Sequence, residues 1–465
     1  MRKAFVALLL LAGATARLGA APLALCPQNP HYFLFRDKPT FLLTSGEHYG
    51  AVLNLDFDYT KYLDALAADG LNLTRLFSGA YVEPEGAFNI ASNTLAPKPE
   101  RYRSPWVRTD TPGYANGGNK FDLMRWDPGY FERLRDFVSK ASERGIVVEM
   151  NLFCPMYEDK QWRLSPMNAA NNVNDIGAVQ AHDVYDRSKN GDLQAIQEAF
   201  VRKIVAELAD ADNVYYEICN EPYFGGVTTD WQRRIAEVIA DAEKSLPARH
   251  LISQNIANGA KKIEDPIKEV SIFNFHYANP PDAVEQNFAL GKVIGENETG
   301  FKGTADDHYR MEAWEFLLAG GGLFNNLDYS FTAGHEDGTF AYPETQPGGG
   351  NAGYRKQLHF LGDFLRGFDF VKMTPARSLL RSPIPEKAHI QVLAEPGKQY
   401  ALYFKGALPT PLLLEMPEGK YRFEWFEAST GAPLPSLDLK SSGHVCEVVP
   451  PAPSGEYALR VKRIE

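Results

Sequence analysis

Between about residues 40 and 367 one alternation recurs eight times: a short apolar run of strand length, then a longer stretch with helical period. Strands are predicted ending near Gly46 and at 71–77, 146–153, 214–221, 251–255, 271–277, 292–298 and 323–329. Helices are predicted at 59–68, 127–143, 193–208, 231–246, 259–269, 283–289, 306–318 and 354–365. Strands that alternate with helices bury both faces, and eight such units fit a closed (β/α)8 TIM barrel better than an open sheet. No sequence repeat accompanies the alternation. Asp37-Lys38-Pro39 reads as a hairpin turn ahead of the first core strand, Asp127-Pro128 as a helix start, and Gly70 and Gly145 as helix stops. Two long loops, 78–126 and 154–190, are expected to overhang the face where the strands end.

From about Val371 the texture changes to short strands punctuated by Glu395-Pro396-Gly397 and Glu418-Gly419, an antiparallel β-sandwich of about ninety residues. The first twenty residues carry Arg2 and Lys3, the apolar run 4–14 and small residues after Leu18, the layout of a signal peptide too short to span a bilayer. The expected division is therefore a signal peptide (1–20), a barrel (21–370) and a sandwich (371–465), in a secreted or periplasmic protein. Leu25 is bulky where lipoprotein signals carry a small residue, so a lipid anchor at Cys26 is not expected. No later stretch has the length and apolarity of a membrane helix.

The net charge of −11 argues against nucleic acid and anionic membranes as partners. Cys26, Cys154, Cys219 and Cys446 show no metal spacing; buried thiols are expected, with a Cys154–Cys219 bridge conceivable in an oxidising compartment.

The most informative stretch is Val214-Tyr215-Tyr216-Glu217-Ile218-Cys219-Asn220-Glu221-Pro222. It reads as a buried strand that Pro222 ends, since proline has no N–H for the ladder. Glu221 is thereby expected at the carboxyl end of strand four, where the catalytic side chains of such barrels gather. Splitting an acetal requires a second carboxylate, and Ile294-Gly295-Glu296-Asn297-Glu298-Thr299-Gly300 on strand seven offers one. Glu296 and Glu298 are expected on one strand face, with Glu298 nearer the carboxyl end and therefore preferred.

An Asn-Glu-Pro ending strand four and a Glu-x-Gly ending strand seven resemble the retaining glycoside hydrolases of clan A, which includes cellulase-like and mannanase-like (family 5-like) enzymes. The resemblance covers roughly residues 40–367. It implies Glu221 as acid/base, Glu298 as nucleophile, Asn220 as a partner of the sugar 2-hydroxyl and Arg75 as the arginine beside the nucleophile. The physics of the roles agrees: a guanidinium favours an ionised nucleophile, and partial desolvation keeps a proton on the acid. His276 and Tyr277 resemble the clan's histidine and tyrosine, which are usually spaced by one residue; Ala278 stands at the usual tyrosine position. The tryptophan platform that often ends strand eight is absent, and Tyr329 or the loop holding His335 is expected in its place. Glu47 and His48, ending strand one, complete the expected substrate contacts; Trp162 and Tyr81 read as packing or sugar-stacking rings.

The resulting expectation is an exported O-glycosyl hydrolase acting on an oligosaccharide, polysaccharide or other glycoside by double displacement, with no cofactor and no metal. A carbohydrate-binding pseudoenzyme would keep the cleft without needing both carboxylates. A metal-dependent barrel hydrolase would want a His-x-His on strand one, where Glu47-His48-Tyr49 has a single histidine. The trailing sandwich resembles β-domains that follow such hydrolases and reads as a structural cap.

Overall fold

A computed structural model describes residues 21–465 apart from 48, 247, 248, 347 and 409. The predicted signal segment lies outside the described residues.

Eight parallel strands form the barrel: β1 (Leu42–Gly46), β2 (Leu73–Phe77), β3 (Val147–Asn151), β4 (Val214–Glu217), β5 (Ile252–Asn258), β6 (Ile272–His276), β7 (Val293–Glu298) and β8 (Leu323–Leu327). Their spatial order is β1-β8-β7-β6-β5-β4-β3-β2. The seam between β1 and β2 is stitched by Asn72. Its N–H donates to the Leu43 carbonyl (3.2 Å), its Oδ1 accepts from the Leu43 N–H (2.8 Å) and its Nδ2 donates to the Phe41 carbonyl (2.9 Å).

The outer layer holds α1 (Tyr59–Ala68), α2 (Pro128–Glu143), α3 (Leu193–Glu207), α4 (Thr229–Ala242), α5 (Asp282–Asn287), α6 (Asp306–Leu318) and α7 (Ala352–Arg366). Asp58, Asp127, Thr228 and Asn351 cap four of these with side-chain oxygens, and Pro128 sits at the first turn of α2, where its missing N–H costs nothing. The helix predicted at 259–269 does not form. Pro266 interrupts that segment, and Lys261, Lys262, Glu264 and Asp265 leave no apolar stripe to bury.

The floor of the barrel is closed by the N-terminal hairpin, Phe33–Phe35 paired with Lys38–Thr40, and by Ala24–Leu25 beside it. The hairpin turns one position earlier than expected, at Arg36-Asp37, both with left-handed backbones, and Pro39 lies within the second strand. Leu23, Phe33 and Phe35 pack against Leu42, Leu73, Val147, Ile272, Val293 and Leu323, the first residues of six barrel strands. With that end sealed, the carboxyl ends of the strands form the open mouth.

Both long loops fold over this mouth. The first contains an antiparallel ribbon, Trp106–Pro112 with Asn119–Trp126, and the second a single helical turn, Asp159–Trp162. Trp162 and Tyr81 are buried, with Trp162 Nε1 donating to the Val179 carbonyl (2.8 Å) and the Tyr81 hydroxyl to Glu83 (3.1 Å); both rings serve packing.

The C-terminal strands form a six-stranded antiparallel sheet, 374–463 in its span, and a two-stranded one, Leu412–Glu415 with Val445–Val448. An apolar core lies between them. The other face of the larger sheet packs on the barrel through α6, where Trp314 stacks on Tyr403 at 5.4 Å and Arg310 holds Glu456 by two hydrogen bonds of 2.7 and 2.6 Å. Among the described residues, no helix is long and apolar enough to cross a membrane.

Candidate active site

The β4 ladder ends at Glu217, earlier than the apolar run implies, and Ile218 to Glu221 continue over the mouth. The segment stays anchored: the Ile218 N–H donates to the Ser253 carbonyl (3.1 Å) and the Asn220 N–H to the Phe153 carbonyl (2.9 Å). Glu221 itself has φ +35°, a left-handed backbone that non-glycine residues adopt mainly where surrounding structure enforces it.

Glu298 arrives by a different device. The pairing of β6 with β7 runs Phe275 to Glu296 and then His276 to Glu298, so Asn297 is an extra residue, a β-bulge. The bulge overturns the expectation that Glu296 and Glu298 share a face. Glu296 is held by the Ala278 N–H (2.7 Å) and stands outside the cavity; burial and then the nearby Glu312 push its carboxyl well above the usual range. Asn297 points among the buried carboxylates, donating to Glu149 (2.9 Å) and Glu217 (2.8 Å), and Glu298 turns to the mouth.

Glu221 and Glu298 line one cavity of about 440 Å³. An oxygen of each and a ring nitrogen of His276 lie within 4.8 Å of one another. His276 Nδ1 bridges them, 3.2 Å from Glu221 Oε1 and 3.5 Å from Glu298 Oε1. Glu298 accepts from Arg75 Nη1 (2.9 Å), the Tyr277 hydroxyl (2.8 Å) and the Tyr49 hydroxyl (3.3 Å). Glu221 accepts from the hydroxyls of Tyr157 (2.5 Å) and Tyr223 (3.2 Å).

The electrostatics tie Glu221 to His276. Burial pushes the Glu221 carboxyl up, but His276, Tyr157 and Tyr223 together outweigh it and hold it below the ordinary value. Burial pushes His276 down, and the carboxylates of Glu298 and Glu221 raise it above the ordinary value. Glu221 and His276 therefore titrate as one coupled pair, which shares the proton expected on Glu221. Deeper in the barrel, Arg75 meets five acceptors: Glu149 (2.5 Å), Glu217, Glu298, Asn220 Oδ1 (2.7 Å) and the Tyr49 hydroxyl (3.4 Å). Burial and the neighbouring Glu217 push Glu149 up to about 7 against the pull of Arg75.

The cellulase (glycosyl hydrolase family 5) profile matches residues 58–312, more than half of the chain. The chain belongs to glycosyl hydrolase family 5. A glycoside hydrolase of family 5 from Bacteroides vulgatus ATCC 8482 has the same fold at 13% identity, with a TM-score of 0.64 and 95% and 94% of the two chains covered. A second protein from that strain aligns at 15% identity, TM-score 0.68, with 96% and 83% covered. A further glycoside hydrolase aligns at 14% identity, TM-score 0.63, with 96% and 97% covered. A comparison with curated proteins finds no match.

Within this family 5 barrel the predicted residues divide clearly. Glu221, Glu298, Asn220 and Tyr277 line the cavity, and His276 lies buried between the two carboxylates. Tyr277 reaches Glu298 from the position next to His276 because its own backbone is left-handed, φ +51°, which swings the ring inward without the usual intervening residue. Arg75 is fully buried beneath the cavity, where it positions Glu298 and Asn220 and does not line the wall. Three expected contacts stand elsewhere. Glu47 is buried and accepts from Thr94 Oγ1 (2.8 Å); Tyr329 is buried behind Phe301, ring centroids 6.5 Å apart; His335 is exposed on a loop against Thr339 (3.2 Å). His48 lies outside the described residues. The cysteines are four buried free thiols, and Cys154 Sγ accepts from Asn220 Nδ2 (3.7 Å).

Residues not anticipated surround the two carboxylates. Tyr49 ends the β1 loop, Tyr157 comes from the second long loop and Tyr223 follows Glu221 by two. Phe88, Phe224 and Phe301 ring the opening with 42, 44 and 45% of their surfaces exposed. Large exposed rings in loops rich in glycine and proline were the available signal.

Proposed function

We propose that this family 5 chain is an exported retaining glycoside hydrolase that cleaves β-glycosidic bonds with Glu298 as nucleophile and Glu221 as acid/base. The observation that carries the reading is the convergence of the two carboxylates, with oxygens within 4.8 Å, in one cavity. Double displacement needs carboxyls about 5–5.5 Å apart, whereas an inverting site leaves roughly 6.5–9.5 Å for a water. The composition of residues 1–20 supports export.

In this reading Glu298 attacks the anomeric carbon as the glycosidic oxygen leaves with the proton of the Glu221–His276 pair. The C–O bond to the leaving group breaks and an ester to Glu298 forms. Esterification removes the charge of Glu298, and with it the foremost influence that raises His276 against burial. The pair, its proton gone with the leaving group, holds a new one less tightly in this state and stays deprotonated until Glu221 takes a proton from the water that hydrolyses the ester. In the same reading Asn220, held by Arg75 and Tyr157 (2.9 Å to the hydroxyl), meets the sugar 2-hydroxyl.

Azide rescue tests the assignment. On aryl β-glycosides, Glu221→Ala with azide should yield the β-glycosyl azide and Glu298→Ala the α-azide. Wild-type activity in both variants, or azides of the same anomer, would overturn it.

A further inference from the structure

The acid/base carboxyl of a double-displacement hydrolase stands over the leaving group, so the side chains around Glu221 describe what leaves. Here they are rings. Tyr157, bonded to Glu221, packs edge-on against Phe88 with centroids 5.3 Å apart and lies 5.9 Å from Phe224, which in turn lies 5.0 Å from Tyr223. Phe88 and Phe224 both line the cavity and are nearly half exposed. Exposed apolar rings grouped at one opening mark a binding surface. Phe88 keeps its place in a left-handed backbone, φ +52°, a conformation that costs an aromatic residue free energy and that the folded loop enforces.

A second sugar would need several hydrogen-bonding groups on the same wall, and most polar atoms there are already engaged with one another, the Asn258 amide N–H and the Lys302 ammonium being the donors left over among the described residues. The Tyr157 hydroxyl donates to Glu221 and accepts from Asn220. Tyr223 and Asn258 are bonded to each other, and the Glu83 carboxylate accepts from Tyr81 and Asn93. An apolar group gains from such a wall, whereas a hydroxylated one exchanges water contacts for little.

We propose that the leaving half of the substrate is an apolar aglycone, aryl or long-chain alkyl, gripped between Phe88 and Phe224. The proposal rests on Glu221 as acid/base, and it predicts a dependence on the aglycone that binding alone can read. With one sugar held constant, kcat/KM on β-alkyl glycosides from methyl to octyl should rise about two- to fourfold per methylene before levelling off, the upper figure corresponding to full burial. Phe88→Ala and Phe224→Ala should each flatten that slope. Affinities of the uncleavable S-alkyl thioglycosides, measured by calorimetry, should follow the same slope without turnover. An affinity indifferent to chain length, or an oligosaccharide of the same sugar preferred to the octyl glycoside, overturns the proposal. Chain-length-dependent binding with no hydrolysis of any glycoside would leave the aglycone clamp standing and overturn the catalytic reading instead.

Discussion

The Tyr277 hydroxyl donates to Glu298 Oε1 at 2.8 Å, from a residue just past the end of β6 whose left-handed backbone faces its ring toward the end of β7. A hydrogen bond to a charged group contributes about 1.5–3 kcal/mol. Tyr277→Phe is therefore expected to lower kcat about 10- to 100-fold while KM changes far less, as steady-state kinetics would show. An unchanged kcat would mean that the contact plays no part in the chemistry.

Arg75 is the counter-charge for Glu149, Glu217 and Glu298 together, all buried. Its planar fork of five N–H donors serves more acceptors than the three N–H bonds of an ammonium can. Arg75→Lys should lose both activity and stability, and Arg75→Met should destabilise by about 3–5 kcal/mol, the range for stripping a buried pair of one partner. Urea denaturation with parallel kinetics measures both. Full stability in the lysine variant would contradict this view of the network.

His276 sets the alkaline limit of activity if it stores the proton for the leaving group. In the wild type the pair loses that proton through a histidine raised above its ordinary value. In His276→Asn the only proton left to lose belongs to Glu221, a carboxyl. The alkaline limb of kcat/KM should then move to lower pH. A limb that stays in place would show the proton to reside elsewhere.

Glu149 titrates near 7 in the fold against an ordinary 4.5, so its bound proton stabilises the fold fully below 4.5 and that contribution is lost as pH climbs through about 7. Glu149→Gln cannot ionise. Relative to the wild type, it should gain stability between pH 5 and pH 8, read from urea midpoints at the two values. A constant difference would place the titration outside this residue.

The barrel was legible because burial on both faces writes itself as apolar runs at regular spacing, and Glu221 because proline ends its run. Glu298 lines the cavity and Glu296 does not, for a reason the sequence hides: the bulge at Asn297 is a pairing irregularity between two strands, and alternation along one strand cannot reveal it. The helix expected at 259–269 failed on Pro266, whose missing donor was present in the sequence but outweighed by the rhythm of the other units. Tyr49, Tyr157 and Tyr223 converge from separate loops, a relationship that only the closed fold creates. Tyr329 and His335 are expected in the place of a tryptophan platform, but the fold buries Tyr329 behind Phe301 and leaves His335 exposed on its loop, positions set by loop packing that the sequence does not display.

Trapping the intermediate tests the central claim most directly. Activated 2-deoxy-2-fluoro β-glycosides of several sugars should inactivate the enzyme, and peptide mass spectrometry should find the fluoroglycosyl group as an ester on Glu298. A label on Glu221 or Glu296, or turnover of the parent glycoside with inversion of the anomeric centre, would contradict it.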